Sequence, residues 1–172
     1  MKIQIKNYIR EVPNWPQKGV NFKDITPLLA DKKAFKTAID ELARPFLNKR
    51  IDKVVGIDAR GFILAAALAY KLKIGLAIVR KKGKLPWKTI SKNYKLEYAS
   101  NTIEMHKDAI KKGERVAVVD DVLATGGTMS ATCEMIEKLG GKIIGIGFLI
   151  KLDFLRGDKK LKKFAIHSLI NY

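Results

Sequence analysis

The fold prediction starts from residues 115–131, which read Arg-Val-Ala-Val-Val-Asp-Asp-Val-Leu-Ala-Thr-Gly-Gly-Thr-Met-Ser-Ala. The apolar, mostly β-branched run at 116–119 is typical of a strand that is buried on both faces. After the glycines, apolar residues recur with the spacing of one helix face from Met129 to Leu139. The predicted order is therefore a strand, an acidic pair, a glycine turn and a helix.

The glycine turn has the features of a phosphate site. Gly126 and Gly127 carry no Cβ, so their backbone N–H groups can approach an anion closely. The turn opens a helix, whose first N–H groups lack partners and lie at the positive end of the helix dipole. Thr125 and Thr128 add hydroxyl donors, and either Thr128 or Ser130 is a candidate N-cap.

The acidic pair, Asp120 and Asp121, follows the predicted strand at the edge where open α/β sheets bind ligands. Carboxylates accept hydrogen bonds, so they suit vicinal sugar hydroxyls or a hydrated Mg²⁺. A ribose 5-phosphate fits both parts of the motif. The alternative is a solvated acidic turn beside a glycine loop that binds no ligand. The order of strand, acidic pair and Thr-Gly-Gly-Thr turn favours the sugar-phosphate site over this alternative. The chain has no G-x-x-x-x-G-K-[ST] loop and no G-x-G-x-x-G motif.

Length and composition indicate one globular domain. The chain has 172 residues, of which 47% are hydrophobic, enough for a single core. No apolar run reaches the length of a membrane span, and no signal-peptide hydrophobic region follows Met1. Cys133 is the only cysteine and is predicted to be a buried thiol. We expect a cytoplasmic protein.

The net charge of +17 is compatible with nucleic acid, with polyphosphate ligands, or with a basic surface that has no partner. The lysines are spread over most of the chain. The sequence shows no basic stripe interleaved with aromatic residues, and no zinc or RRM signature. We interpret the charge as a solvated surface and expect no nucleic-acid partner.

Two βαβ units are predicted. The first has strands at 53–57 and 76–79 around a helix at 62–72, which is apolar nearly all round and is therefore predicted to be buried, with a C-cap near Gly75. The second joins the opening motif to a strand at 142–150. Two such units imply a parallel sheet with helices on both faces.

The remaining segments are less regular. Residues 2–10 suit a short helix or an edge strand, with a weak preference for helix. Residues 19–27 are predicted as a loop, and Asp31 as the cap of a helix that runs to residue 46. Strands are predicted within 94–106 and at 164–170.

Two further stretches carry charge next to predicted strand ends. Asp58-Ala59-Arg60-Gly61 is a second strand, carboxylate and glycine turn, which either grips a phosphate or is an ordinary strand-to-helix turn. The cluster Arg80–Lys84 is either a solvated charge run or a cationic lid over the ligand.

The motifs extend along the chain. They are Gly-Val-Asn-Phe-Lys-Asp-Ile-Thr-Pro (19–27), Asp-Ala-Arg-Gly-Phe (58–62), Arg-Lys-Lys-Gly-Lys-Leu-Pro (80–86), Tyr-Lys-Leu-Glu-Tyr (94–98) and Ile-Glu-Met-His-Lys-Asp-Ala-Ile (103–110). Residues 116–128 resemble the PRPP-binding signature of type I phosphoribosyltransferases. All the motifs together resemble the adenine phosphoribosyltransferase family over almost the whole chain.

The resemblance implies the type I phosphoribosyltransferase fold, an α/β fold whose parallel β-sheet is flanked by helices. A single domain, 1–172, would include a small N-terminal hood, about 1–30, and a flexible lid with strands, 80–106. The implied reaction joins adenine to PRPP and yields AMP and pyrophosphate. It uses Mg²⁺, held mainly by PRPP and water near the acidic pair, without an assigned protein ligand. A homodimer is also implied.

Site roles follow from the same resemblance. The adenine-binding residues would be Asn21, Phe22, Lys23, Val122 and Leu123. The ribose-phosphate group would contact Asp120, Asp121, Ala124, Thr125, Gly126, Gly127 and Thr128. The pyrophosphate would contact Asp58, Ala59, Arg60, Arg80, Lys81 and Lys84, some of them from a partner subunit. The catalytic residues would be Glu97, which assists proton transfer at the base, and Arg60.

The chain departs from the family pattern at Asn21, Trp87, Ala99 and Val122. These departures concern the affinity for the base and the dynamics of the lid. Two alternatives remain at this stage. One is a phosphoribosyltransferase for another purine base. The other is a non-catalytic regulator on the same fold that binds PRPP and nucleic acid.

Overall fold

The computed structural model describes residues 3–95 and 100–172. The chain divides into two compact units, residues 1–41 and 42–172. The first unit contains a 3₁₀ helix at Ile5–Tyr8, a hairpin of strands β1 (Arg10–Pro13) and β2 (Asn21–Asp24), helix α1 (Thr26–Ala30) and most of helix α2 (Lys32–Ala43). The prediction of a single domain with an N-terminal hood stays a prediction.

The first unit confirms some local predictions and corrects others. Asp31 caps α2, since its Oδ1 accepts hydrogen bonds from the N–H groups of Lys33 at 2.9 Å and Ala34 at 2.8 Å. The helix predicted over 2–10 is limited to one 3₁₀ turn, and a strand follows it. The loop predicted at 19–27 was wrong in part, because residues of β2 pair with β1 and Thr26 already begins α1.

The second unit contains the main sheet. Its elements are β3 (Lys53–Ile57), α3 (Arg60–Leu72), β4 (Gly75–Lys81), β5 (Thr89–Lys95), β6 (Ser100–His106), β7 (Arg115–Leu123), α4 (Gly127–Lys138), β8 (Lys142–Lys151) and β9 (Ile166–Asn171), with 3₁₀ turns at Arg44–Phe46, Asp153–Leu155 and Gly157–Leu161.

The seven strands lie in the order β5-β6-β4-β3-β7-β8-β9. The five strands from β4 to β9 pair in parallel, and β5 and β6 add an antiparallel edge. The predicted parallel sheet is confirmed, with this antiparallel addition at one side.

Helices α3 and α4 pack on opposite faces of the sheet. From β3 the chain crosses to β4 on one side, and from β7 it crosses to β8 on the other side, so right-handed crossovers place the two helices on opposite faces. A Cβ on Gly56 would lie 2.6 Å from Ala65 of α3. The neighbouring Val55 packs in one apolar cluster with Met129 and Ile136 of α4.

Helix α3 differs from its prediction. It begins at Arg60, and its C-cap is Lys73 in the left-handed conformation, whereas Gly75 already belongs to β4. The prediction that this helix is buried was wrong in part, because Ile63 is 43% exposed and Tyr70 is 88% exposed. Only the side that faces the sheet is buried.

Helix α4 carries the predicted buried thiol. Cys133 is 2% exposed, and burial raises the pKa of its thiol to about 12. Over the described residues, no helix is both long enough and apolar enough to cross a membrane.

Candidate active site

The two carboxylate motifs meet at the centre of the main sheet. Strands β3 and β7 are neighbours, and the chain leaves them toward opposite faces, which opens a crevice at their carboxyl ends. Strand β7 pairs with β3 only as far as Val119, but it continues beside β8 to Leu123. Asp120 and Asp121 therefore lie within the strand, not after it, on the stretch that borders the crevice.

The crevice contains a cavity of about 330 Å³. It is lined by Ile57, Asp58, Ala59, Arg60, Lys81, Tyr94, Ile103, Asp120, Asp121 and Thr128. The ends of β3, β4 and β7 thus bring four residues of the predicted pyrophosphate group together with three of the predicted ribose-phosphate group.

A second cavity of about 130 Å³ lies along the glycine turn. Its lining residues are Asp120, Val122, Leu123, Ala124, Thr125, Gly126, Gly127, Thr128, Met129 and Phe148. Thr128 and Asp120 line both cavities. The two cavities together border groups suited to a phosphate, a sugar and a second anionic group.

The glycine turn is held by a close approach of two backbone segments. Gly126 is the N-cap of α4 with φ +75°, and the prediction of a Thr128 or Ser130 cap was wrong, since no side chain caps this helix. A Cβ on Gly126 would lie 2.4 Å from the carbonyl oxygen of Gly157, and one on Gly157 would lie 2.1 Å from that of Ala124. Only glycine fits at either position.

In the acidic pair, Asp121 is buried and ion-paired with Arg60, whereas Asp120 is half-buried. Asp121 is 7% exposed, and its Oδ2 lies 2.6 Å from Arg60 Nη2. Burial raises the pKa of Asp121, while the charge of Arg60 acts against that rise. Burial and the neighbouring Asp121 charge raise the pKa of Asp120 well above its usual range. Asp120 Oδ1 accepts a hydrogen bond from the Asp121 N–H at 2.9 Å. Carboxylate oxygens can accept further hydrogen bonds from sugar hydroxyls or from a hydrated cation.

Arg80 connects the end of β4 to the turn after β3. Its Nε lies 3.3 Å from Asp58 Oδ2, and its Nη1 donates a hydrogen bond to the carbonyl oxygen of Lys84 at 2.9 Å. The Asp58–Ala59 peptide bond is cis. The predicted pyrophosphate residue Arg80 therefore contacts Asp58, which lines the larger cavity. Lys84 is connected to it only through its backbone carbonyl oxygen, which accepts from Arg80.

The predicted base-binding residues of the first unit lie on β2. Phe22 makes an edge-to-face contact with Trp15, with ring centroids 4.4 Å apart. Glu11 Oε2 accepts a hydrogen bond from Asn21 Nδ2 at 2.7 Å and lies 3.0 Å from Lys23 Nζ. Hydrogen bonding to Asn21 is the main cause that lowers the pKa of Glu11.

The family model described as "Phosphoribosyl transferase domain" matches residues 27–167. An adenine phosphoribosyltransferase of Geobacter metallireducens is 56% identical over 98% of this chain and 99% of its own. That of Brachyspira hyodysenteriae is 52% identical over 99% of this chain and 100% of its own. The crystal structure of the adenine phosphoribosyltransferase of Thermoanaerobacter pseudethanolicus is 49% identical, has a TM-score of 0.95, and matches over 98% of each chain. The chain belongs to the adenine phosphoribosyltransferase family.

This membership confirms the family and the fold that the motifs predicted, while the role of each residue stays a prediction. Val122 and Leu123, expected at the base, differ in exposure, because Leu123 is 1% exposed and Val122 is only partly buried. Glu97, the predicted catalytic residue, and the departure Ala99 lie outside the described residues.

The structure adds three residues for which no site role was predicted, although Tyr94 and Glu104 lie within the family motifs. Tyr94 lines the larger cavity, Gly157 supports the glycine turn, and Glu104 accepts a hydrogen bond from the Gly83 N–H. The alternating pattern of 94–106 predicted strands, and of these contacts it could have indicated only the one made by Tyr94. The other contacts join segments far apart in sequence, so no local pattern reveals them.

Proposed function

We propose that this protein catalyses the transfer of the 5-phosphoribosyl group from PRPP to adenine, with Mg²⁺, to give AMP and pyrophosphate. The observation that carries the proposal is the cavity of about 330 Å³, where the acidic pair and Thr128 face Asp58, Arg60 and Lys81. These are the groups that a sugar diol, a 5′-phosphate and a leaving pyrophosphate each require. Family membership selects adenine as the base.

The glycine turn and the acidic pair hold the ribose 5-phosphate in this proposal. The phosphate lies at the start of α4, where the first N–H groups of a helix point to an anion, with hydroxyl donors from Thr125 and Thr128. Asp120 and Asp121 accept hydrogen bonds from the ribose hydroxyls. Two anchors on one sugar fix its orientation, so C1 faces the base.

The basic residues act on the leaving group. As the bond from C1 to the pyrophosphate oxygen breaks, negative charge grows on pyrophosphate and positive charge on the sugar ring. Arg60 and Lys81 line the cavity, Arg80 lies beside Asp58, and the Lys84 carbonyl oxygen accepts a hydrogen bond from Arg80. Cations placed before the reaction stabilise that charge without reorganisation. The backbone of Ala59 and the carboxylate of Asp58 complete the proposed pyrophosphate site.

The base-binding roles are proposed for each unit by itself: Asn21, Phe22 and Lys23 in the first unit, and Val122 and Leu123 in the second. Phe22 stacks on adenine, and the backbone of its neighbours reads the base edge. Adenine attacks C1 through a ring nitrogen and loses a proton, which Glu97 accepts or relays.

The donor groups fit a magnesium ion that arrives with PRPP. Among the described residues, no group of three or more His, Cys, Asp or Glu side chains could enclose a metal. Asp120 and Asp121 supply the oxygens that Mg²⁺ prefers, and this ion keeps several waters and binds substrate phosphates. When bound, it would neutralise charge on the leaving pyrophosphate.

We also propose a homodimer in the cytoplasm. Ile63 and Tyr70 on α3 are apolar side chains that a second copy would cover. With Cys133 as the only cysteine, the chain forms no internal disulfide, which suits a reducing compartment. No role for nucleic acid is proposed.

A panel of bases tests the proposed reaction. The protein is mixed with PRPP, Mg²⁺ and one of adenine, hypoxanthine or guanine, and pyrophosphate release is followed. Adenine should give release well above the other two. The double variant Asp121→Asn, Gly127→Val should lose PRPP binding while its circular dichroism spectrum stays native. Faster release with hypoxanthine or guanine, or near-normal PRPP affinity in the folded double variant, would refute the proposal.

A further inference from the structure

Glu104 is a carboxylate at a buried position of the sheet. It lies on β6, opposite Arg80 of β4 and Ser91 of β5, and it is 8% exposed. Burying a carboxylate costs free energy unless its oxygens receive hydrogen bonds. The Glu104 carboxylate therefore needs a hydrogen-bond donor at this position.

That donor comes from the turn after β4. The Gly83 N–H donates to Glu104 Oε2 at 3.0 Å. The turn is closed by Lys84 N–H, which donates to the carbonyl oxygen of Lys81 at 3.2 Å, and Gly83 has φ +79°. A β-turn of this kind bonds its first and fourth residues and leaves the N–H of the third without a partner in the turn. Glu104 supplies the missing acceptor.

Two further hydrogen bonds hold the backbone of the same turn. Lys82 N–H donates to the Thr102 carbonyl oxygen at 3.0 Å, and Arg80 Nη1 donates to the Lys84 carbonyl oxygen at 2.9 Å. Glu104 and Arg80 thus form hydrogen bonds with the third and fourth residues of the turn, Gly83 and Lys84. These hydrogen bonds hold the backbone from which the side chains of Lys81, Lys82 and Lys84 extend.

We propose that Glu104 is a positioning residue, which sets the Lys81–Lys84 turn so that its cations are in place when pyrophosphate leaves. The inference rests on the proposed function and assigns a residue to it that none of the predicted roles includes. Without Glu104 the Gly83 N–H loses its acceptor, and the turn gains other conformations. Cations that must be ordered during the reaction stabilise the transition state less than cations ordered beforehand.

Two variants separate hydrogen bonding from packing. Glu104→Met keeps the length of the side chain and removes the acceptor, whereas Glu104→Gln keeps an oxygen that can accept from Gly83. Glu114→Ala is the matched control, because Glu114 Oε2 accepts from the Lys111 N–H at 2.9 Å in a different turn.

The Met variant should lose about 10-fold to 10²-fold in kcat, with the KM for adenine unchanged, because small misplacements of charged groups cost rate in this range. Pyrophosphate should inhibit it more weakly. The Gln variant should recover most of the rate, and the Glu114 control should keep it. Hydrogen exchange without ligand should be faster at residues 81–84 in the Met variant only.

Gly83→Ala gives a second route if the Met variant does not fold. A Cβ there meets nothing within 4 Å, but the φ of +79° strains it, so the turn should shift and kcat should fall similarly. Wild-type kcat in a folded Met variant, or in Gly83→Ala if Met does not fold, would overturn the positioning role. An equal loss in the Glu114 control would do the same. A wild-type protein that forms no AMP would instead overturn the proposed function.

Discussion

Gly157→Ala should damage PRPP binding, although Gly157 lies 30 residues beyond the glycine turn. Its Cβ would lie 2.1 Å from the Ala124 carbonyl oxygen and 2.8 Å from the Gly126 nitrogen. Ordinary contact begins at 3.4 Å, so the segments of Gly157 and Ala124 must separate by about 1.3 Å. Both neighbours are backbone atoms, so no side chain can rotate to relieve the clash.

The expected loss follows from that displacement. A shift of about 1 Å in a substrate-positioning group can cost about 10²-fold in rate, so kcat/KM for PRPP should fall by about 10²-fold. Overpacking of this kind costs about 1–3 kcal/mol of unfolding free energy, which should leave the protein folded. Gly75→Ala is the control, since its Cβ would meet Lys53 Cε at an ordinary 3.4 Å at the opposite end of the sheet.

Steady-state kinetics with varied PRPP, beside urea unfolding of each variant, measures both effects. We expect a raised KM for PRPP in the Gly157 variant and near wild-type kinetics in the Gly75 variant. A Gly157→Ala protein with wild-type PRPP kinetics would show that this contact does not set the shape of the glycine turn.

The other predictions concern the Arg80–Lys84 cluster, proton transfer through Glu97 and the thiol of Cys133. Lys84→Ala should lower kcat with little change in the KM for adenine, because it removes a contact made mainly in the transition state; an unchanged kcat would make the cluster a solvated surface. Glu97→Gln should slow single-turnover AMP formation by about 10²–10⁴-fold with PRPP affinity retained, and a variant as fast as wild type at every pH would exclude proton transfer through Glu97. Cys133, with its pKa raised to about 12, should resist iodoacetamide at pH 8 in the native protein and react in urea, as followed by mass spectrometry; rapid native labelling would contradict its burial.

The sequence predicts the parallel sheet and its site because the signals are local. A buried β-branched run predicts β7, and helical spacing from Met129 predicts α4. Asp58 and Asp120 each follow such a run, and the rule that ligands bind at the carboxyl ends of parallel strands brings them together. Both line the same cavity.

What the sequence could not predict depends on tertiary contacts. Gly126 takes the cap position of α4 because the approach of Gly157 excludes any side chain there, whereas cap preferences favour threonine or serine. Strand β2 forms because Val12 and Phe22 face each other across the hairpin, in a stretch whose Gly and Pro residues favour a loop. The apolar composition of α3 does not reveal that Tyr70 faces outward.

Transfer of the phosphoribosyl group to adenine can be measured from the products of one reaction mixture. Isotopically labelled adenine, PRPP and Mg²⁺ are incubated with the protein, and AMP and pyrophosphate are quantified by mass spectrometry over time. We expect labelled AMP and pyrophosphate in equal amounts, with neither formed when adenine is omitted. Pyrophosphate release without adenine, or release with no labelled AMP, would contradict transfer to the base.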